Sequence, residues 1–112
     1  MNEHPRILLV EKNKELSEEL RRMLSGAADI TIEESVEHAV NRMGFEDFDL
    51  VLLDSEQDAP CIMNVLIEFF RARKVDFALF GDKKPRGVNG YLFLPRESSQ
   101  FAEKVSGMLM HA

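Results

Sequence analysis

Short apolar runs recur along this chain, and all but one are followed by a stretch whose apolar residues return every three or four positions. The runs are Ile7 to Val10, Ile30 to Ile32, Leu50 to Leu53, Phe77 to Phe80 and Tyr91 to Leu94. A strand apolar on both sides has to be covered on both faces, which is the situation of a parallel sheet between helices. The intervening stretches supply such helices. Asn13 can cap one with Leu16, Leu20, Met23 and Leu24 on its inner face, stopped by Gly26. Ser35 can cap a second with Val36, Ala39, Val40 and Met43 inward, ended by Gly44. Pro60 suits the first turn of a third, with a stripe of Ile62, Val65, Leu66, Phe69 and Phe70. Ser98 or Ser99 can start a last one carrying Phe101, Val105, Met108 and Leu109. Strand–helix alternation with right-handed crossovers leaves few topologies, and a flavodoxin-like five-stranded parallel sheet of order 2-1-3-4-5 leads them.

The length, 112 residues, holds one core, so residues 1–112 are expected to form a single domain. A net charge of −6 argues against a nucleic-acid footprint, although Lys83, Lys84 and Arg86 form a local basic cluster. Cys61 is the lone cysteine, which excludes an internal disulfide and fits a reducing cytoplasm. At a helix start its thiolate could be favoured, but without a resolving partner a packed cysteine is the expectation. His4, His38 and His111 have no ligand spacing, and no zinc site is expected. The polar residues from Met1 to Arg6 are unlike a signal peptide, and no apolar run is long enough to span a bilayer.

The segments Arg6-Ile-Leu-Leu-Val-Glu-Lys-Asn, Asp49-Leu-Val-Leu-Leu-Asp54 and Gly87-Val-Asn-Gly-Tyr-Leu-Phe-Leu-Pro95 resemble the first, third and fifth strand regions of response-regulator (CheY-like) receiver domains. The resemblance runs in order over nearly the whole chain. It implies a site where three strand ends converge on a phosphoryl-accepting aspartate. In that family a pair of acids after the first strand holds Mg²⁺, a Thr or Ser ends the fourth strand, and a Lys precedes the proline after the fifth. Such a set answers a physical need, because oxygens crowded by phosphoryl transfer require a divalent cation and an ammonium to neutralise them.

Carried over position by position, Asp54 stands at the phospho-acceptor and Glu11 at the first acid. Lys12 stands where the second acid belongs, Gly81 replaces the hydroxyl and Leu94 replaces the Lys. Tyr91 aligns with the aromatic that moves when the family's sites are phosphorylated, and packing is its expected role here. Asp58 takes a position where the family usually has proline. Between Gly81 and Gly87 only residues 82–86 remain where the family places a helix, and Pro85 among them would break one. The fourth helix is therefore expected to be missing, with residues 82–90 an extended connection; a hairpin that turns the fifth strand antiparallel is the rival geometry.

The functional expectation is a receiver-like module that acts through protein–protein contact, is not an enzyme, and is not phosphorylated in the usual Mg²⁺-dependent way. No cofactor is expected, and any metal would fall to Glu11 and Asp54. Lys12 is either an ordinary loop lysine or an ammonium beside Asp54 and Glu11 in the metal's place. A partner or second copy is expected near the fourth and fifth strands, or else large side chains such as Phe80 and Phe93 fold over the gap; neither nucleic acid nor membrane is expected. A working receiver of atypical chemistry, phosphorylated on Asp54 with Lys12 substituting for one cation and Mg²⁺ as cofactor, is the alternative. A small flavin or nucleotide binder ranks lower, because Glu11-Lys-Asn-Lys14 lacks the Gly, Ser and Thr of a phosphate cradle.

Overall fold

The computed structural model describes residues 4–110; the remaining terminal residues, including His111, lie outside the described residues. Nine elements follow one another: β1 (Arg6–Val10), α1 (Lys14–Leu24), β2 (Asp29–Glu33), α2 (Val36–Met43), β3 (Leu50–Asp54), α3 (Pro60–Ala72), β4 (Phe77–Gly81), β5 (Phe93–Pro95) and α4 (Phe101–Met110). All strand pairs are parallel and the sheet order is β2-β1-β3-β4-β5. The flavodoxin-like topology expected from the alternation is therefore present, and β5 is parallel, which disposes of the hairpin alternative.

Side-chain alternation along the central strands builds two cores. Leu8, Val10, Val51, Leu53 and Leu79 face α2 and α3, whereas Ile7, Leu9, Leu50, Leu52, Ala78 and Phe80 face α1 and α4. Asn13 and Ser35 cap α1 and α2 as expected, their side chains accepting from the Leu16 and His38 N–H groups. Pro60 sits in the first turn of α3.

Two stripes differ from the reading of the sequence. In α3 the buried residues are Met63, Leu66, Ile67 and Phe70, while Ile62 and Val65 are exposed and Phe69 is half-buried. This helix is apolar around most of its circumference, so periodicity alone leaves its rotation open. Contacts on its polar flank decide it, as described below. In α1, Met23 is exposed, and Leu20 and Leu24 carry the inner face with Ser17.

No helix joins β4 to β5. The connection, residues 82–92, is held against α3 by a set of polar clamps. Asn64 donates to the Gly87 carbonyl at 2.7 Å and accepts from the Asn89 N–H at 3.1 Å. Arg71, two turns on along the same flank, donates to the Gly90 carbonyl. The Tyr91 hydroxyl reaches the Pro85 carbonyl at 3.5 Å, and the Ser55 hydroxyl donates to the Lys83 carbonyl at 3.1 Å. Between the clamps Val88 is buried in the α2/α3-side core. Gly87 and Gly90 have positive φ values of 75° and 71°, which let the chain turn back at both ends of that plug.

Cover for the missing helix thus comes from Val88 with Tyr91 and Phe93, which pack partly buried against the same core. Phe80 does not take part, contrary to expectation. It lies one position along from Leu79, so the pleat turns it to the opposite face, where it meets Phe101 at 6.1 Å between ring centroids. The fifth strand begins at Phe93 rather than Tyr91, and its short edge position tolerates Pro95.

Asn64→Ala removes both of that residue's bonds to the loop. The Asn89 amide is expected to lose protection in hydrogen exchange while global stability falls by only about 1 kcal/mol, since the lost bonds are solvent-facing. Unchanged protection at Asn89 would mean that Val88 alone anchors the loop.

Candidate functional site

Order 2-1-3-4-5 reverses direction at β1, and in such sheets the crevice beyond the strand C-termini at that reversal is where side chains from separate strands converge. Register does the rest. Val10 pairs with Leu53 and Asp54 pairs with Phe80, so the next residue after β1, Glu11, comes beside Asp54, and Gly81 follows at the end of β4. A cavity of about 370 Å³ opens there, lined by Glu11, Lys12, Asp54, Glu56, Gly81 and Arg96 among others.

Glu11 is 1% exposed. One carboxyl oxygen, Oε2, accepts from the Asn13 N–H at 3.0 Å, and Oε1 is enclosed without a hydrogen-bond partner. A buried carboxylate beside another carboxylate is costly, and the proton is the cheapest remedy. The Glu11 pKa is pushed up to about 8, first by burial and then by the neighbouring Asp54 carboxyl. The Asn13 amide and the Lys12 ammonium oppose the shift without cancelling it.

Asp54 ends β3 half-buried, and its Oδ1 accepts from the Glu56 N–H at 2.8 Å. This carboxylate therefore also shapes the turn that leaves the strand. Lys12 reaches across from the β1–α1 loop, and its Nζ donates to the Glu56 carbonyl at 3.1 Å. The ammonium ties the two loops together over the site.

Gly81 is buried with φ +155°, and a Cβ built on it would overlap the Ser55 hydroxyl. That hydroxyl fills the space a side chain at 81 would need and is committed to the Lys83 carbonyl. Leu94 does not reach the cavity: it is buried on the α1/α4 side, in the core that contains Phe80 and Phe101. Cys61 is exposed rather than packed. Among the described residues His4 and His38 do not join any group of three potential metal ligands.

Two participants were not foreseen. Arg96, two residues past Leu94, lines the cavity, and its guanidinium is 3.0 Å from Asp82 Oδ1. A cation in the β5–α4 connection is the signal that could have found it, displaced across Pro95. Ser55 is the other. Its small polar side chain directly after Asp54, opposite a glycine at the end of β4, is a size exchange visible only once the two strands are paired.

Mg²⁺ takes six oxygen ligands, ionised carboxylates among them. Here the Glu56 carbonyl is held by Lys12 and Asp82 is paired with Arg96, so two oxygens that border the cavity are already engaged by cations of the chain. This donor set fits a divalent cation poorly.

No family model matches the sequence, and no curated protein matches it. Solved structures do. An orphan response regulator of H. pylori superposes with TM-score 0.70 at 21% identity, over 94% of this chain and 96% of that one. The signal receiver domain of an HD domain-containing protein from Pseudomonas fluorescens Pf-5 gives TM-score 0.77 at 15% identity, over 99% and 90%. A response regulator from Thermotoga maritima gives 0.72 at 14%, over 96% and 98%. At these identities the likeness shows the fold, which is that of response-regulator receiver domains.

Proposed function

We propose that this chain is a signal-transduction module of receiver type that works by protein–protein contact, without enzymatic activity and without Mg²⁺-dependent phosphorylation of Asp54. The observation that carries this reading is the Lys12 ammonium on the Glu56 carbonyl, 3.1 Å away, at the mouth of the cavity that holds Asp54. A phosphoryl group on Asp54 would arrive where one neighbouring acid is enclosed and lacks the paired metal ligand. The family's hydroxyl at 81 is absent, and its Lys position is taken by Leu94 in the core. The Tyr91 hydroxyl lies 3.5 Å from the Pro85 carbonyl, turned toward the β4–β5 connection.

A protein partner or a second copy near β4 and β5 is the contact proposed. Leu92 is half-exposed there, on a loop whose backbone is pinned and so presents a fixed surface. Among the described residues no helix is long and apolar enough to cross a membrane. A lone, exposed Cys61 suits a reducing cytoplasm.

Phosphorylation on Asp54 is the competing reading, favoured by the partial exposure of that carboxylate in an open cavity. Incubation with acetyl phosphate and Mg²⁺, followed by intact mass measurement, is expected to show the unmodified mass. A gain of one phosphoryl group that disappears in Asp54→Asn would establish the competing reading instead.

A further inference from the structure

The connection that replaces the helix carries Lys83, Lys84 and Arg86 within four residues, in a chain of net charge −6. Most arginines of this protein are engaged: Arg6 and Arg42 with Glu46, Arg71 with Glu68, Arg73 with the Met43 carbonyl, Arg96 with Asp82. The three cations of the loop are exposed, and their side chains have neither an ion pair nor a hydrogen bond within the described residues. Their backbone is tied at Lys83, whose carbonyl accepts from the Ser55 hydroxyl at 3.1 Å, and the Tyr91 hydroxyl lies 3.5 Å from the Pro85 carbonyl. A tied loop keeps its three unspent charges close together, which lowers the backbone ordering cost of binding.

Those charges border a concavity of about 520 Å³, within the range of ligand-sized clefts. The three cations line it together with Pro85 and Pro60, and Ser55, Glu56 and Asp58 come from the β3–α3 loop on the other side. The lining is of mixed sign. A nucleic-acid backbone laid along it would set phosphates against the Glu56 and Asp58 carboxylates, at a cost in repulsion. A peptide segment has both kinds of group to offer. Its acidic side chains answer the loop cations, its backbone N–H groups can donate to Glu56 and Asp58, and its apolar parts can lie on the two prolines.

We infer that the cleft between the Lys83–Arg86 loop and the β3–α3 loop is a docking site for an acidic peptide segment of a partner protein. The inference rests on the reading of this chain as a protein-contact module and gives that contact a place and a chemistry. Ser55 joins the cleft to the neighbouring Asp54 site, because it follows Asp54 in the chain and holds the Lys83 carbonyl.

The test is a ¹⁵N-NMR titration of the full chain with a synthetic eight-residue peptide of alternating Asp and Leu. Amide shifts are expected at residues 55–59 and 83–87, and Lys83→Glu combined with Lys84→Glu should weaken binding about tenfold while the rest of the spectrum is unchanged. Shifts scattered over the surface, equal shifts with a peptide of alternating Lys and Leu, or binding indifferent to the double substitution would overturn the docking site. So would tighter binding at these residues by inorganic phosphate or single-stranded DNA than by the peptide. The same samples, treated with acetyl phosphate and Mg²⁺, separate the two levels. An unmodified chain that ignores the peptide sinks the docking site alone, whereas a phosphorylated Asp54 sinks the functional reading beneath it.

Discussion

Gly81→Thr, which would return a hydroxyl to the end of β4, is expected to destabilise the chain by roughly 2–4 kcal/mol in urea unfolding. Two costs add. The backbone at 81 has φ +155°, a conformation that a β-branched residue adopts only under strain. The new Cβ would also run into the Ser55 hydroxyl, which cannot simply swing away without releasing the Lys83 carbonyl. Adding Ser55→Ala to Gly81→Thr should relieve the overlap and recover about half the loss, leaving the backbone strain in place. A Gly81→Thr chain as stable as the parent would show that the end of β4 is free to relax and that Ser55 does not fill the vacated space.

The second large effect concerns Glu11 and pH. The folded chain holds the Glu11 proton up to about pH 8, whereas the unfolded chain releases it near 4.5. Between those values the folded state binds more protons than the unfolded one, so this group lowers stability as pH rises and the loss is complete above about 8. Glu11→Gln keeps an acceptor for the Asn13 N–H and carries no charge at any pH. It is expected to stabilise the chain at pH 8.5 by roughly 1–3 kcal/mol, to change little at pH 4.5, and to flatten the profile between. Denaturation at a series of pH values checks this. A parent chain whose stability rises from pH 5 to 8, with Glu11→Gln less stable at pH 8.5, would mean that Glu11 is ionised and paired in the fold.

What could be read from the sequence followed from periodicity and from turn chemistry. The apolar runs from Ile7 and from Leu50 specified buried parallel strands, Asn13 and Ser35 marked helix starts, and Pro85 excluded a fourth helix. Chain order then put Glu11, Asp54 and Gly81 at one end of the sheet. Rotation of α3 was not readable, because Ile62, Val65, Met63 and Ile67 are equally apolar and only the Asn64 and Arg71 clamps distinguish the faces. The fate of Phe80 was not readable either, since the pleat phase of β4 is set by pairing with β3. At the site, the residue types at 11, 12, 54 and 81 were legible. The Lys12 bond to a backbone carbonyl, the filling of space by Ser55 and the approach of Arg96 depend on loop paths that no local pattern encodes.

We propose that the Lys12 ammonium, held on the Glu56 carbonyl, stands in place of a divalent cation beside Asp54. An NMR titration with Mg²⁺ to about 20 mM tests it most directly, millimolar affinity being the range in which weak oxygen sites saturate. The amides of Glu11, Lys12, Asp54 and Glu56 are expected to move no more than exposed acidic residues elsewhere, without saturation. Saturable shifts confined to those four amides, lost in Asp54→Asn, would contradict it.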